Sequence, residues 1–201
     1  MDNGVEIHGE PGAILLFDYS GENENVCNAF SILALTNNNV VDGITIEVNR
    51  NCQYLIHDDF ADLSVKGKNI IRNCIFKGVQ CSSAVIGAGL GNDMVYEIRE
   101  NLFLQDYSTE GYESETFDKI SIMYHSCSNP EYAEAKSIII IEGNICNGKI
   151  NFWKMGNFME PSTAIVYNNV ATNIECIYHP RCAGNDNIVM YDFNNNIMEE
   201  E

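Results

Sequence analysis

A short pattern recurs along this chain: an alternating pair of positions, the second apolar, and three residues later an asparagine or a residue in its place. It occurs as Ile44-x-Ile46-x-x-Asn49, Lys68-x-Ile70-x-x-Asn73, Tyr96-x-Ile98-x-x-Asn101, Ile120-x-Ile122-x-x-His125, Ile139-x-Ile141-x-x-Asn144, Ala164-x-Val166-x-x-Asn169 and Val189-x-Tyr191-x-x-Asn194. Successive anchors lie 24, 28, 24, 19, 25 and 25 residues apart. A period in that range means units that stack on one another, a solenoid.

Alternation within each segment is that of a strand with one buried face, because side chains two apart share a face of a pleated chain. The position three before the anchor is apolar or aromatic throughout, whereas the position two before it is mixed: Glu47, Ile71, Arg99, Met123, Glu142, Tyr167 and Asp192. A repeat of 19 to 28 residues holds three short strands with turns. Stacked repeats then pair strand over strand at roughly 4.8 Å. Asparagine suits the anchor because it tolerates a left-handed bend and its amide can bond the level above or below. A leucine-rich repeat has a similar period but needs leucine at fixed positions and a helical side. With 24 Ile against 9 Leu, the chain favours a β-helix.

The stretches Ile70-Ile71-Arg72-Asn73-Cys74-Ile75-Phe76-Lys77-Gly78, Ile98-Arg99-Glu100-Asn101-Leu102-Phe103 and Ile141-Glu142-Gly143-Asn144-Ile145-Cys146 resemble the repeats of the pectin-lyase-like superfamily. That resemblance covers residues 40 to 198. It implies an all-β, right-handed parallel β-helix of about seven to eight coils, with less regular coils in residues 1–40 and regular ones in 41–198. It is unspecific for activity, since lyases, hydrolases, epimerases, viral tailspikes and non-catalytic surface proteins share the fold.

At 201 residues with 45% apolar content, the chain is expected to form one domain with a full core. It contains no apolar run long enough for a membrane-crossing helix, and Met1 to Gly12 lacks the basic start and apolar stretch of a secretory signal. None of the eight cysteines forms a C-x-x-C pair. They read as free buried thiols, implying a reducing compartment or an assembled virion or surface structure. The net charge of −18 repels nucleic acid and anionic membrane, leaving polysaccharide, protein, or another copy of the chain as partners. Most of that charge reads as a solvated surface; the one concentrated stretch, Gln105 to Lys119 with Asp106, Glu110, Glu113, Glu115 and Asp118, reads as a loop between coils.

Candidate chemistry begins at His57-Asp58-Asp59-Phe60-Ala61-Asp62. Asp58 and Asp59 could act as an acid and base pair on a sugar, and with Asp62 could bind Ca²⁺, the one cofactor this composition suggests; an acidic turn is the simpler account. Polygalacturonase-like members of the superfamily carry an Asp-Asp pair with a Gly-His-Gly and an Arg-x-Lys. Only Asp58-Asp59 matches. Pectate-lyase-like members set Ca²⁺ carboxylates and an arginine on one outward strand face. Arg99 as a catalytic group, with Glu97, Glu142, Tyr167 and Asp192 as binding groups, form a partial version; surface ion pairs account for the same residues. Gly87-Ala88-Gly89-Leu90-Gly91 lacks the spacing of a phosphate loop. His179-Pro180-Arg181-Cys182 with Asp186 reads as a loop, and His125 as a stand-in for asparagine.

Four residues before the anchor, Ile140, Ile165 and Met190 would form an outward apolar strip, covered by the loop Asn151 to Thr163 or by another subunit. Neither end of the chain shows a capping helix, so an irregular N-terminal segment or a neighbouring molecule is expected to cover one end. Three functions stay open: a non-catalytic structural or recognition module, as in a viral, phage or surface assembly; a polysaccharide lyase or glycosidase; and an intracellular scaffold that binds a protein.

Overall fold

The computed structural model describes residues 1–18, 31–49, 52–58, 66–79, 81, 83–88, 94–106, 119–125, 137–154, 162–178 and 188–199, and within them not the side chains of residues 79, 125, 153–154, 162, 176–178 and 188–192. Every described strand pairs in parallel with a strand of the next level, which makes a parallel β-solenoid of three sheets. Strands are numbered along the chain. The first sheet stacks β1 (Glu6–His8), β4 (Val40–Asp42), β7 (Gly67–Arg72), β10 (Met94–Arg99), β13 (Ile138–Glu142), β16 (Ser162–Tyr167) and β19 (Ile188–Asn194). The second stacks β2 (Ile14–Phe17), β5 (Thr45–Val48), β8 (Ile75–Val79), β11 (Leu102–Asp106), β14 (Ile145–Cys146), β17 (Val170–Ala171) and β20 (Ile197–Met198). The third stacks β3 (Ser31–Ala34), β6 (Tyr54–His57), β9 (Ile86–Ala88), β12 (Ile120–His125), β15 (Lys149–Lys154) and β18 (Ile174–Tyr178).

Inward side chains stack in columns on every sheet. Val41, Ile71, Ile98, Ile141 and Val166 line the first sheet; Ile46, Phe76, Phe103 and Cys146 the second; Ile56, Ile86, Ile122 and Ile150 the third. All are buried. Phe76 and Phe103 stack with ring centroids 5.0 Å apart, and each buried ring or aliphatic side chain contributes about 1.5–3 kcal/mol.

Two neighbouring residues share the work at the corner between the first and second sheets. The bend is made by Gly43, Asn73, Glu100, Gly143, Asn168 and Asn195, all with left-handed backbone angles between φ 52 and 70. The following residue faces inward, and there Asn101, Asn144, Asn169 and Asn196 form an amide ladder. The Asn144 Nδ2 donates to the Ile98 carbonyl and to the Asn169 Oδ1, and its own Oδ1 accepts from the Asn101 backbone N–H and Nδ2, all within 2.9–3.1 Å. Asn101 and Asn169 repeat this arrangement. The fully laddered part thus spans about four turns, where about seven to eight coils in all were expected. Toward the N-terminus Cys74 takes the position, its thiol donating to the Val41 carbonyl at 3.6 Å.

This register corrects several assignments from the repeat pattern. Ile44-x-Ile46 runs into β5 of the second sheet, and Ile120-x-Ile122 belongs to β12 of the third. At β7 the inward residue is Ile71, not Ile70, and Asn73 is the bend. At β19 a register shift moves the ladder residue from Asn194 to Asn196, and Met190 pairs with the buried Ala164 while Tyr191 pairs with Ile165. The outward strip of the first sheet therefore runs Ile140 and Ile165, and Met190 does not pair with it. Phe152, from the loop expected to cover that strip, lies in β15 and is fully buried. Residues 6–8 of the N-terminal segment form a regular strand on β4. Cys52, Cys74, Cys81 and Cys146 are free and buried.

Asn144→Ala strands the Ile98 carbonyl and the amides of Asn101 and Asn169 in the core, so it is expected to cost about 3–5 kcal/mol. The half-buried Asn196→Ala should cost less than half of that. Urea unfolding followed by circular dichroism checks both, and equal effects would mean that the ladder is not cooperative.

Candidate interaction faces

The outer surfaces of the three sheets differ in chemistry. On the first, the column that follows the inward one reads His8, Asp42, Arg72, Arg99, Glu142 and Tyr167 on successive levels. Its charges pair along the stack. Arg72 donates to Asp42 at 2.8 and 3.0 Å, and Asn73 to the other Asp42 oxygen at 2.9 Å. His8 lies between Glu6, at 2.8 Å, and Asp42, at 3.6 Å. Lys68 donates to Glu97 at 2.7 Å; Arg99 lies 3.2 Å from the other Glu97 oxygen and also donates to Glu142. Of the expected site residues, Glu97, Arg99 and Glu142 thus meet in one chain of ion pairs. Tyr167 continues the column at half-exposure, and Asp192 falls at the β19 register shift.

These contacts favour the charged form of each group. The Arg72 guanidinium holds the Asp42 carboxyl below its ordinary range, helped by Asn73 and His8. Burial works against ionisation of Glu97, but Lys68 and Arg99 outweigh it and lower its pKa. Glu6 raises that of His8.

Asp58 lies apart from this face. It follows β6, is 1% exposed, and accepts a hydrogen bond of 2.6 Å from the hydroxyl of the buried Tyr96. In that position it ties the third sheet's corner to β10. Asp59 and Asp62 lie outside the described residues, as do residues 107–118 of the acidic stretch, residues 89–91 of the glycine stretch, residues 179–182 and Asp186; the His125 side chain is not described. Among the described residues no three His, Cys, Asp or Glu side chains cluster as metal ligands would.

The middle of the third sheet's outward column is buried. His57, Met123 and Asn151 occupy it at 4%, 0% and 1% exposure, with the Tyr54 and His57 rings stacked 4.1 Å apart over Gly87. Any side chain at residue 87 would meet His57 at 2.2 Å, so glycine is required there.

The second sheet presents the opposite. Its outward column reads Ile14, Thr45, Ile75, Leu102, Ile145, Val170 and Ile197, level by level across all seven strands. Ile14, Ile145 and Ile197 are 56%, 54% and 60% exposed. Leu16 and Leu104 extend the patch sideways, and a charged pair described within it, Glu47 with Lys77 at 2.7 Å, is self-neutralising. The repeat pattern passed over this column, although the sequence carries a signal: an aliphatic residue directly follows each ladder asparagine, as in Asn101-Leu102, Asn144-Ile145, Asn169-Val170 and Asn196-Ile197.

No protein-family model, no curated protein and no solved structure matches this chain.

Because the folded-state pKa of Asp42 lies below the unfolded one, its pairing stabilises the fold above about pH 4 and that contribution is lost as pH falls through the lowered folded value. Arg72→Gln is expected to cost up to about 1 kcal/mol at neutral pH. The difference from wild type should vanish once pH is below the lowered folded value, in denaturant unfolding measured across pH; a difference independent of pH would assign the cost to packing.

Proposed function

We propose that this chain is a non-catalytic β-solenoid module, structural or recognition in role, that docks another protein surface onto the outer face of its second sheet. The observation that carries this reading is the exposed aliphatic column spanning that sheet. Soluble monomers rarely leave so continuous an apolar band in water, and bands of this kind mark contact surfaces. Seven levels at roughly 4.8 Å give it a length of about 29 Å.

A protein fits this face better than a polysaccharide. Sugar recognition draws on hydrogen-bonding groups and aromatic platforms, whereas the described outward positions of the second sheet are aliphatic apart from Thr45, Asp106 and the Glu47–Lys77 pair. The first sheet, where a lyase-like arrangement was expected, has Arg99 and Lys68 committed to Glu97 and Glu142. The likeness to right-handed helices of the pectin-lyase-like superfamily forms part of the same proposal, supported by the corner amide ladder and the three parallel sheets.

Replacing Ile75 and Ile145 by lysine should leave the thermal midpoint nearly unchanged, since both side chains are solvent-facing. Wild type at high salt, where its charge is screened, is expected to associate with rising concentration in light scattering and to bind an apolar fluorescent dye, both several-fold more than the double variant. A wild type that neither associates nor binds dye, or that releases sugar from any of a panel of polysaccharides with or without Ca²⁺, overturns the proposal.

A further inference from the structure

Cys52 and Cys81 occupy successive levels of the corner between the second and third sheets. Cys52 precedes β6, Cys81 lies between β8 and β9, and neither belongs to a strand. Their Sγ atoms are 3.8 Å apart, and the residues are 1% and 6% exposed. A disulfide requires about 2.05 Å, so the sulfurs already touch and need only close by somewhat less than 2 Å. Rotation of the two side chains within turn backbone supplies movement of that size. The other buried thiols are arranged differently: Cys74 donates to the Val41 and Arg72 carbonyls, and Cys146 lies beside the Ser121 hydroxyl. Among the described residues no third ligand joins Cys52 and Cys81, and two thiols alone do not complete a zinc site.

We infer that Cys52 and Cys81 are an oxidation site, which a peroxide-class oxidant converts to a disulfide linking two consecutive turns. One thiol is first oxidised to a sulfenic acid as the peroxide O–O bond breaks and a water leaves. The second sulfur then attacks the first, forming the S–S bond and releasing a second water. Two S–H bonds are lost, and hydrogen peroxide takes up two electrons and two protons. Burial, then the neighbouring sulfur, raise the Cys81 thiol well above its ordinary pKa, so both steps, which need a thiolate, run faster at alkaline pH. The bond would close one whole turn of chain, residues 52 to 81, and so restrict the unfolded state strongly.

Tryptic mapping of the native protein after brief exposure to hydrogen peroxide tests this directly, because Lys66, Lys68, Arg72 and Lys77 separate the two cysteines. The expected result is one linked species lighter than its two peptides by two hydrogen atoms and split by dithiothreitol. A thermal midpoint higher by roughly 5–15 °C should accompany it, reversed by reductant and absent from Cys52→Ala and Cys81→Ala. Recovery of both cysteines as separately alkylated peptides, with methionines oxidised to show that the oxidant acted, overturns the inference. So does conversion of either cysteine to sulfinic acid without a link. The mapping uses wild type alone and stands even where a variant fails to fold.

Discussion

A side-chain amide buried at a corner has to satisfy more than itself. Where a strand of the first sheet turns into one of the second, the backbone leaves its ladder for the length of a bend, and its N–H and carbonyl groups face the core. The Asn144 amide takes up the Asn101 N–H below it and the Ile98 carbonyl, and passes its other proton to Asn169 above. Each of Asn101, Asn144 and Asn169 therefore helps to close the bend of its neighbour, and Asn169 bonds the Tyr167 carbonyl of its own bend as well. The unit of stability is the stack, as one-dimensional repeats require. Such a network is costly when interrupted, because every missing member leaves buried polar groups on two levels.

The same logic explains how the chain changes composition along its axis. At the first corner the asparagines give way to Cys74. At the second, Asn147 accepts from the Gln105 N–H, Gln105 accepts from the Cys81 N–H, and Cys81 meets Cys52. A thiol is a small apolar side chain with a weak donor. It fills the corner without fixing it as an amide does, so the N-terminal levels are tied by packing and the later ones by hydrogen bonds. At the third corner Asn39 and Asn69 restore an amide pair for those early levels: the Asn39 backbone N–H donates to Asn69, and Asn69 donates to the Thr36 carbonyl.

What the sequence made legible follows from this division of labour. The fold class and the ladder residues Asn101, Asn144 and Asn169 could be read because there strand, bend and strand follow without interruption. The pattern failed at Asn49 and His125 because all three sheets share one alternation and one apolar vocabulary, and spacing alone does not tell them apart. It slipped by one residue at Ile70 because Ile70 and Ile71 are both apolar and because asparagine serves the bend as well as the ladder; Asn168-Asn169 and Asn195-Asn196 show both uses side by side. Burial of the third sheet's outer face had no local signal, since Met123 read as part of an ordinary mixed column and Asn151 as the start of a loop. Asp58 looked exposed because acidic runs usually are, yet it sits beneath a tyrosine hydroxyl.

The three outer faces also constrain one another. Ion pairs that run along the first sheet tie level to level, and because each partner neutralises the next they add little to the field around the molecule. The third sheet's outer face is buried at its middle levels, at His57, Met123 and Asn151. Net repulsion from a charge of −18 keeps copies of the chain apart at long range, but it weakens within a Debye length of roughly 8 Å at physiological salt. At that distance the second sheet offers an aliphatic band whose only described ion pair is self-compensated. A protein surface that reaches it loses little by desolvating charge and gains the area of the band, which is why contact there can be selective without a single dedicated polar group.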